Sequence, residues 1–438
     1  MNYSQTLEFL DSAMPSYQNK GAEAYNAGLD RIAEICRLTG NPQRNYFTIH
    51  VAGTDGKGSV SSMIAAVLMS AGYRTGLYTS PHLHEFRERI RVDGEMIPKQ
   101  KVVNFVDKYR EAMVAAGLSF FEMTTAMAFD YFDQSDVEVA VIETGLGGRL
   151  DATNIITPIV SVITNIGLEH TDVLGPTLAD IAAEKAGIFK KSIPVVIGEL
   201  SEACREVFEN RAAELKSKIV YAEKEFALES REACDNGNRF GLRRHRDGYL
   251  FDLFVDLAGD CQCRNIVTAC TVLDFLHEET PLTISRRALI EGLRSAAADT
   301  GLRGRWQRVS EAPLTVCDTG HTSCAFEYTV RQLEASPCTG PIVAVLGFVS
   351  DKRADRILEK LGSLSRPLEI VFTRPGIERG MPLERVREYA EAVNLKCSYT
   401  FAGTVAEAVE LARTKAGEQG MVFVGGSTFV VSEVMAND

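Results

Sequence analysis

Along the first two hundred positions, apolar residues come in short unbroken runs rather than in strict alternation. FTIHVA (Phe47–Ala52) and VEVAVIET (Val137–Thr144) are such runs, as are Arg74–Ser80, Ile159–Ile166 and Pro194–Glu199. Runs of this kind predict strands covered on both faces, hence a mostly parallel sheet. Between them, Ser59–Ala71, Phe121–Gln134 and Leu178–Phe189 predict helices. The pattern breaks at Leu200–Asp260, a charged stretch in which Asp247-Gly248 is a hairpin signal, so a small β insertion or sheet edge is expected there. A helix over Arg264–His277 is expected to close this half.

A second alternating series begins near Thr300. Strands are predicted at Leu314–Asp318, Pro341–Gly347, Leu368–Thr373, Ser398–Phe401 and Met421–Val424, with helices at Ala354–Leu361, Leu383–Val393 and Val405–Ala416. The fold class expected is α/β: a P-loop-type, mostly parallel sheet domain over residues 1–297, followed by a smaller Rossmann-like α/β domain over residues 298–438. The junction falls around Ala296–Gly304. At 438 residues the chain is too long for one ordinary core and suits two.

Composition narrows the function classes. A formal charge of −12 argues against a general nucleic-acid or anionic-membrane binder, since both need a basic face. No apolar run approaches the roughly 20 residues that span a bilayer. None of the ten cysteines forms a C-x-x-C pair, and the first residues do not read as a signal peptide. Reduced thiols, no structural zinc and a cytoplasmic location are therefore expected.

The sharpest chemical signal is VAGTDGKGS (Val51–Ser59), set between a predicted strand and a predicted helix. Gly53, Gly56 and Gly58 let the backbone turn tightly and aim N–H groups inward, and the helix presents its positive end to the same spot. Gly53 through Ser59, including Thr54 and Asp55, is the candidate ATP cradle. Lys57 supplies an ammonium for terminal phosphates and Ser59 a hydroxyl suited to magnesium. The spacing is not that of the usual phosphate loop, because Gly58 separates Lys57 from Ser59. Taken alone, it is also compatible with an ordinary glycine-rich turn. Glu143 ends an apolar strand and His170 follows one, both where crevice residues sit in a parallel sheet. For Glu143 a helix cap or surface ion pair stays open, and for His170 a satisfied loop position.

The loop GTDGKGS resembles the G-T-N-G-K-G-S loop of the Mur ligase superfamily, in particular its folate branch. GLYTSPHL (Gly76–Leu83), FRERIRVDG (Phe86–Gly94), FFEMTTAMAFDYF (Phe120–Phe132), IETGLGGRLDATN (Ile142–Asn154), VITNIGLEH (Val162–His170) and AAEKAGIFK (Ala182–Lys190) follow in the order seen in folylpolyglutamate synthases. The resemblance implies ATP-dependent ligation of L-glutamate to dihydropteroate, to reduced folates or to both, with ATP and two magnesium ions and without a macromolecular partner, as a monomer. It implies Ser59 and Glu143 on one ion, and Ser80, Glu143 and His170 on the second. It implies a carbamate on Lys185, against the plainer alternative of a lysine paired with Glu184 or Glu143. Asn265 would meet the adenine, Arg305 the ATP phosphates, Asp318 the ribose and His321 the phosphates, although Arg305 also reads as a surface cation. Ser80, Pro81, His82, Phe121, Glu122, Thr125 and Asp151 would form the folate pocket, although Phe121 by chemistry alone reads as core. LGFVSDK (Leu346–Lys352) and VFVGGSTFVVSEV (Val422–Val434) match the second domain, where Gly425 and Gly426 are as well explained by a turn. Asp55, Cys261 and Thr322 depart from the family pattern and keep open a non-catalytic nucleotide- or folate-binding relative. A cell-wall amino-acid ligase of the same superfamily is the other alternative, disfavoured by SPHL and FFEMTTA.

Overall fold

The computed structural model describes residues 1–13, 28–350 and 352–436. Asp351, within the LGFVSDK segment, lies outside the described residues. The chain divides into two compact units. One comprises residues 1–232, 238–256 and 262–302; the other comprises residues 233–237, 257–261 and everything from Arg303 on.

The first unit is built on an eight-stranded sheet. Its strands are β1 (Phe47–Ala52), β2 (Thr75–Tyr78), β3 (Ile90–Val92), β4 (Glu95–Met96), β5 (Val139–Glu143), β6 (Val160–Ile163), β7 (Val195–Ile197) and β8 (Ile219–Tyr221). Their order is β4-β3-β2-β5-β1-β6-β7-β8. The six from β2 to β8 are parallel, whereas β3 and β4 are antiparallel additions at one edge. β5 to β7 are buried at every position, which is why their sequences are unbroken Val/Ile runs. β1 sits at the centre, so the residues after it open at the carboxyl end of the sheet, where crossover topology leaves a crevice.

The helix Lys57–Ser70 that follows β1 is buried along nearly its whole length, with Gly58 through Leu68 all inaccessible. It shows no amphipathic pattern because it is covered on more than one side. One cover is the helix Arg286–Arg294, which approaches through Gly292. A Cβ added at Gly292 would lie 2.5 Å from the Cα of Val67 and 2.7 Å from the carbonyl oxygen of Ala66.

The charged stretch after Leu200 holds both alternatives expected there, a small β insertion and a sheet edge. β9 (Phe226–Cys234), β10 (Gly237–Arg244) and β11 (Leu250–Val255) do form a small separate sheet, with β10 and β11 antiparallel across the predicted Asp247-Gly248 turn. The edge strand β8 supplies the sheet edge, and the stretch also holds a helix that was not expected, Glu202–Leu215. That helix buries Cys204, Phe208 and Ala212, one residue per turn, a stripe too thin to stand out among charged neighbours. Nor does the helix Gln262–Glu279 close the unit, since Arg286–Arg294 and Ala296–Thr300 follow it.

The second unit carries β12 (Gln307–Glu311), β13 (Leu314–Cys317), β14 (Ile342–Leu346), β15 (Leu368–Phe372), β16 (Ser398–Phe401) and β17 (Met421–Gly425), ordered β12-β13-β17-β14-β15-β16. All neighbours are parallel except β12 and β13. The five predicted strands are present. β12 (QRVSE) escaped notice because a polar edge strand lacks an apolar run.

Gly292→Ala tests the helix contact. Alanine is the better helix former by about 1 kcal/mol, so propensity alone favours the variant. Overpacking against the Val67 backbone is expected to win, lowering stability by about 1–3 kcal/mol in urea denaturation.

Candidate active site

β1 delivers Gly53 to the centre of the sheet's carboxyl edge, and the helix begins at Lys57 with Gly56 at its N-cap, φ +80°. Only glycine fits there, because the left-handed conformation disfavours a side chain and an added Cβ would strike Asn265 Oδ1. The turn is pinned by the segment after β6. Thr54 N donates to Asn165 O (3.1 Å) and Asp55 N to Asn165 Oδ1 (2.8 Å). Thr164 Oγ1 donates to Asp55 O (2.6 Å), and the Thr54 hydroxyl accepts from Gly167 N (2.9 Å) while donating to Gly167 O (3.2 Å). Sequence reasoning missed Thr164 and Asn165, whose only signal is their place just after a strand.

Two ammonium groups converge on this turn. Lys57 Nζ folds back onto the carbonyls of Gly53 and Thr54, 3.1 Å each. Lys185 Nζ, 132 residues from Gly53, donates to the same Gly53 oxygen at 2.7 Å. Lys185 is buried, 4% exposed. Burial first, then the neighbouring Lys57, lower its pKa to about 7 against the opposing pull of Asp55, Glu169 and Asp151. Glu184, one of the two partners that the plainer alternative offered Lys185, pairs with Arg149 (2.8 Å).

Glu143 ends β5, in register with Val51 of β1, and is 3% exposed, which removes the surface ion-pair alternative. Its Oε2 accepts from Ser80 N (3.1 Å), so the structure brings together two of the residues expected at a metal. Ser59 is buried at the start of the helix. His170 stands at φ +51° as the cap of the short helix Thr171–Leu174, its Nε2 3.7 Å from Glu169 Oε1. Among the described residues no three His, Cys, Asp or Glu side chains form a ready cluster. Hydroxyl, carboxylate and imidazole donors nevertheless suit a hard divalent cation better than a soft one.

On the expected folate side, the Ser80–Pro81 peptide is cis and Pro81 is exposed. His82 Nδ1 accepts from Arg89 Nε (2.8 Å), which puts its proton on Nε2; burial and Arg89 hold its pKa near 3. Arg89, itself buried over the Phe120 ring (5.3 Å), is a residue that sequence reasoning missed. Phe121 is half-buried, its ring 5.8 Å from that of Tyr78, and the Thr125 hydroxyl donates to Phe121 O (2.8 Å) and pairs with the Tyr78 hydroxyl (3.1 Å).

Two of the carboxylates expected at the ligand have partners within the fold. Glu122 caps its own helix, accepting from Ser119 N (2.7 Å), and pairs with Arg31 (3.1 Å), a partner 91 residues away. Asp151 accepts from Gly145 N, Leu146 N, Thr153 N and the Thr153 hydroxyl (2.5–3.0 Å), which fills both carboxylate oxygens. Thr153 Oγ1 is in turn held at 2.8 Å by Nε2 of His50, a wholly buried ring whose pKa burial and Lys190 depress to about 3. This network holds the loop between β5 and β6 in shape.

Near the turn, Asn265 packs on Gly56 and donates to Gln262 Oε1 (2.9 Å). Among the described residues the buried Gln262 Nε2 has no partner, which marks it as a further donor for a ligand edge. In the second unit, Arg305 reaches the Thr319 hydroxyl and Gly304 O (3.3 Å). Asp318 accepts from Trp306 N (2.8 Å) and Gly320 N (2.7 Å), and His321 Nδ1 lies 3.0 Å from Thr319 O. Thr322, where asparagine was expected, caps the helix Ser323–Glu334 through Ala325 N (2.9 Å). Gly425 ends β17 and Gly426 takes φ +85°, as a strand-to-helix turn requires.

Residues 51–273 match the Mur ligase middle domain and residues 304–428 the Mur ligase glutamate ligase domain. The fold and the turn at Lys57 thus define an ATP-dependent ligase of the Mur type, one that forms ADP while joining an acid to an amino acid. Folylpolyglutamate synthase of Lacticaseibacillus casei is 33% identical over 389 residues, 87% of this chain and 88% of that protein. Dihydrofolate synthase/folylpolyglutamate synthase of Escherichia coli K12 is 32% identical over 435 residues, 98% of this chain and 96% of that one. The structure of E. coli FolC in complex with DHPP and ADP superposes with a TM-score of 0.85 at 30% identity, covering 100% of this chain and 97% of that chain. The Mycobacterium tuberculosis folylpolyglutamate synthase complexed with ADP gives 0.86 at 28% identity, covering 99% and 98%. The chain belongs to the folylpolyglutamate synthase/dihydrofolate synthase family.

The His50 network predicts a pH signature. With a native pKa near 3 and an ordinary unfolded value of 6.5, the neutral ring stabilises the fold fully above pH 6.5. That contribution is lost as pH falls toward 3, because the unfolded chain takes up the proton first. His50→Gln keeps an N–H donor but does not titrate. The native-minus-variant stability is expected to be flat above pH 7 and to shrink by about 3 kcal/mol by pH 4 in denaturant titrations.

Proposed function

We propose that this chain joins L-glutamate to the carboxyl groups of both dihydropteroate and reduced folates. The observation that carries this reading is the convergence of Lys57 and Lys185 on the Gly53 carbonyl, at the carboxyl end of β1 beside Glu143. The Lys57 ammonium, the turn's amides and the helix start together point to a phosphate anion, while the buried amine of Lys185 is held at the same carbonyl. The relatives named above for folate ligation, and the ADP in their structures, agree with that occupant.

The chemistry follows from a carboxylate's resistance to amines. Its oxygen takes the terminal phosphoryl group of ATP, ADP departs, and the acyl phosphate is attacked by the glutamate amine. The amine loses a proton, the tetrahedral carbon collapses, and phosphate leaves with the carboxyl oxygen. Lys57 exchanges its loop carbonyls for phosphate oxygens and offsets charge in the transferring group. In the same reading Asn265 meets the adenine, Asp318 the ribose, and Arg305 and His321 the phosphates. Ser80, Pro81, His82, Phe121, Glu122, Thr125 and Asp151 line the pterin side. Magnesium would be held by Ser59 and Glu143, with a second ion on Ser80, Glu143 and His170, and its chemistry when bound is to neutralise phosphate charge.

Lys185 is assigned a carbamate. A pKa near 7 leaves much of the amine neutral at physiological pH, and the neutral nitrogen adds to carbon dioxide with loss of a proton. The product turns a buried cation into an anion that supports the magnesium site. Protein equilibrated with ¹³C-bicarbonate is expected to show a carbamate carbonyl resonance that Lys185→Met lacks; its absence from the native chain rejects the assignment.

Lys57→Ala tests the ligase reading. ADP release that requires both a pteroate or folate acceptor and glutamate is expected to fall at least about 10²–10³-fold in the variant, with an unchanged melting curve. A panel of dihydropteroate, tetrahydrofolate and a muramoyl precursor, with mass analysis of products, separates the acceptors. Native chain that binds ATP yet releases no ADP with any of them would fit a nucleotide-binding relative, for which the Asp55 charge beside the phosphates is the motivating feature.

A further inference from the structure

A second cavity, of about 260 Å³, opens in the first unit between the small sheet and the helices Gln262–Glu279 and Arg286–Arg294. It is set apart from the phosphate turn along one helix. Asn265 packs against Gly56, whereas the cavity is lined by Cys270, Leu273 and Asp274 and by His277 and Glu278 beyond them. At 1.5 Å per residue, Asp274 lies about 13 Å farther along that helix than Asn265.

The lining is aromatic and the rim cationic. Phe226, Tyr249 and Phe251 form a contiguous set of rings, with Phe251 centred 6.1 Å from Phe226 and 4.6 Å from Tyr249 in edge-to-face contact. Two rim arginines are already engaged: Arg244 pairs with Asp247 (2.5 Å) and Asp274 (2.7 Å), and Arg246 with Asp274 (3.0 Å) and Glu278 (2.8 Å). Arg286 differs. Its guanidinium lies over the Tyr249 ring (4.6 Å), it is exposed, and among the described residues it pairs with no carboxylate. Arg286 and Arg287 also open a helix whose first turn contains no acidic residue. A cation there meets the helix dipole unfavourably, so the fold itself gains little from the charge.

We propose that this cavity is a second small-molecule site, taking a planar aromatic carboxylate one or two rings across. The ring packs against Tyr249 and Phe251, and the acid group meets Arg286. An apolar cavity of about 150 Å³ accepts benzene, so this one has room for a fused bicycle with a short acidic group. Rings on the aromatic wall and a charged hydrogen bond at the rim divide recognition as small-molecule sites do, with apolar contact for affinity and one polar group for orientation.

The test is calorimetric titration of the full chain with 2-naphthoate, its neutral amide and the cation 2-naphthylmethylamine. One saturable site for the acid is expected in the native chain and in Lys57→Ala, with binding at least 10-fold weaker in Arg286→Ala and Tyr249→Ala and at least 10-fold weaker for the amide. Arg286 is exposed, so its alanine variant is expected to melt like the native chain, which keeps the test valid if Tyr249→Ala unfolds. Several outcomes overturn the proposal: no saturable binding, binding indifferent to Arg286→Ala, binding lost in Lys57→Ala, or tighter binding of the cation. None of them bears on the ligase reading.

Discussion

The carbonyl oxygen of Gly53 accepts from two lysine ammonium groups, one four residues away in the same turn and one delivered across the sheet from a helix 132 residues later. The arrangement holds like charges close together in a place from which water is largely excluded. Repulsion and burial together drive the pKa of Lys185 down. Everything around the turn keeps this pair from relaxing. β1 is flanked by β5 and β6, the helix that follows is covered along its length, and Thr164, Asn165 and Gly167 grip the loop backbone. A turn held this rigidly, with the Lys57 ammonium and backbone amides at the end of a central strand, is a preorganised anion site, because the cost of assembling it is met in folding rather than at binding.

The carboxylates nearby obey the complementary rule, that a buried negative group must be paired. Glu122 and Asp151 find their partners within the protein, in Arg31 and in a ring of backbone amides. They therefore shape the walls of the site. Glu143 differs in position: it ends a central strand, and one of its oxygens meets the amide of Ser80. A carboxylate at that point faces the same crevice as the turn. The division of labour among three acidic residues in similar motifs is set by where the chain ends each element.

The departures from the family motifs also have local physical accounts. Thr322 does at a helix start what asparagine does, since both side chains cap a backbone amide. The backbone of Asp55 is tied at both its N–H and its carbonyl, so the turn keeps its shape with an acid at that position. The small sheet β9–β11 contributes to the aromatic wall of the second cavity, and among the described residues Arg286 at its rim pairs with no carboxylate.

Much of this was legible in the linear chain. Strands buried on both faces are mostly apolar, so β1, β5, β6, β14, β15 and β17 could be read directly, and the glycines of the phosphate turn betrayed the backbone geometry they permit. What escaped were elements whose burial is thin, such as Glu202–Leu215 with one apolar residue per turn, and polar edges such as β12. The sequence by itself determined the architecture and the chemistry available, because periodicity, glycine placement and residue type are local properties. Only the tertiary structure decided which acids found partners within the fold and which lysines met at one carbonyl. Those outcomes depend on partners such as Arg31 for Glu122 and Gly53 for Lys185, brought together from 91 and 132 residues apart, and hydrogen-bond saturation and burial are properties of that assembled neighbourhood.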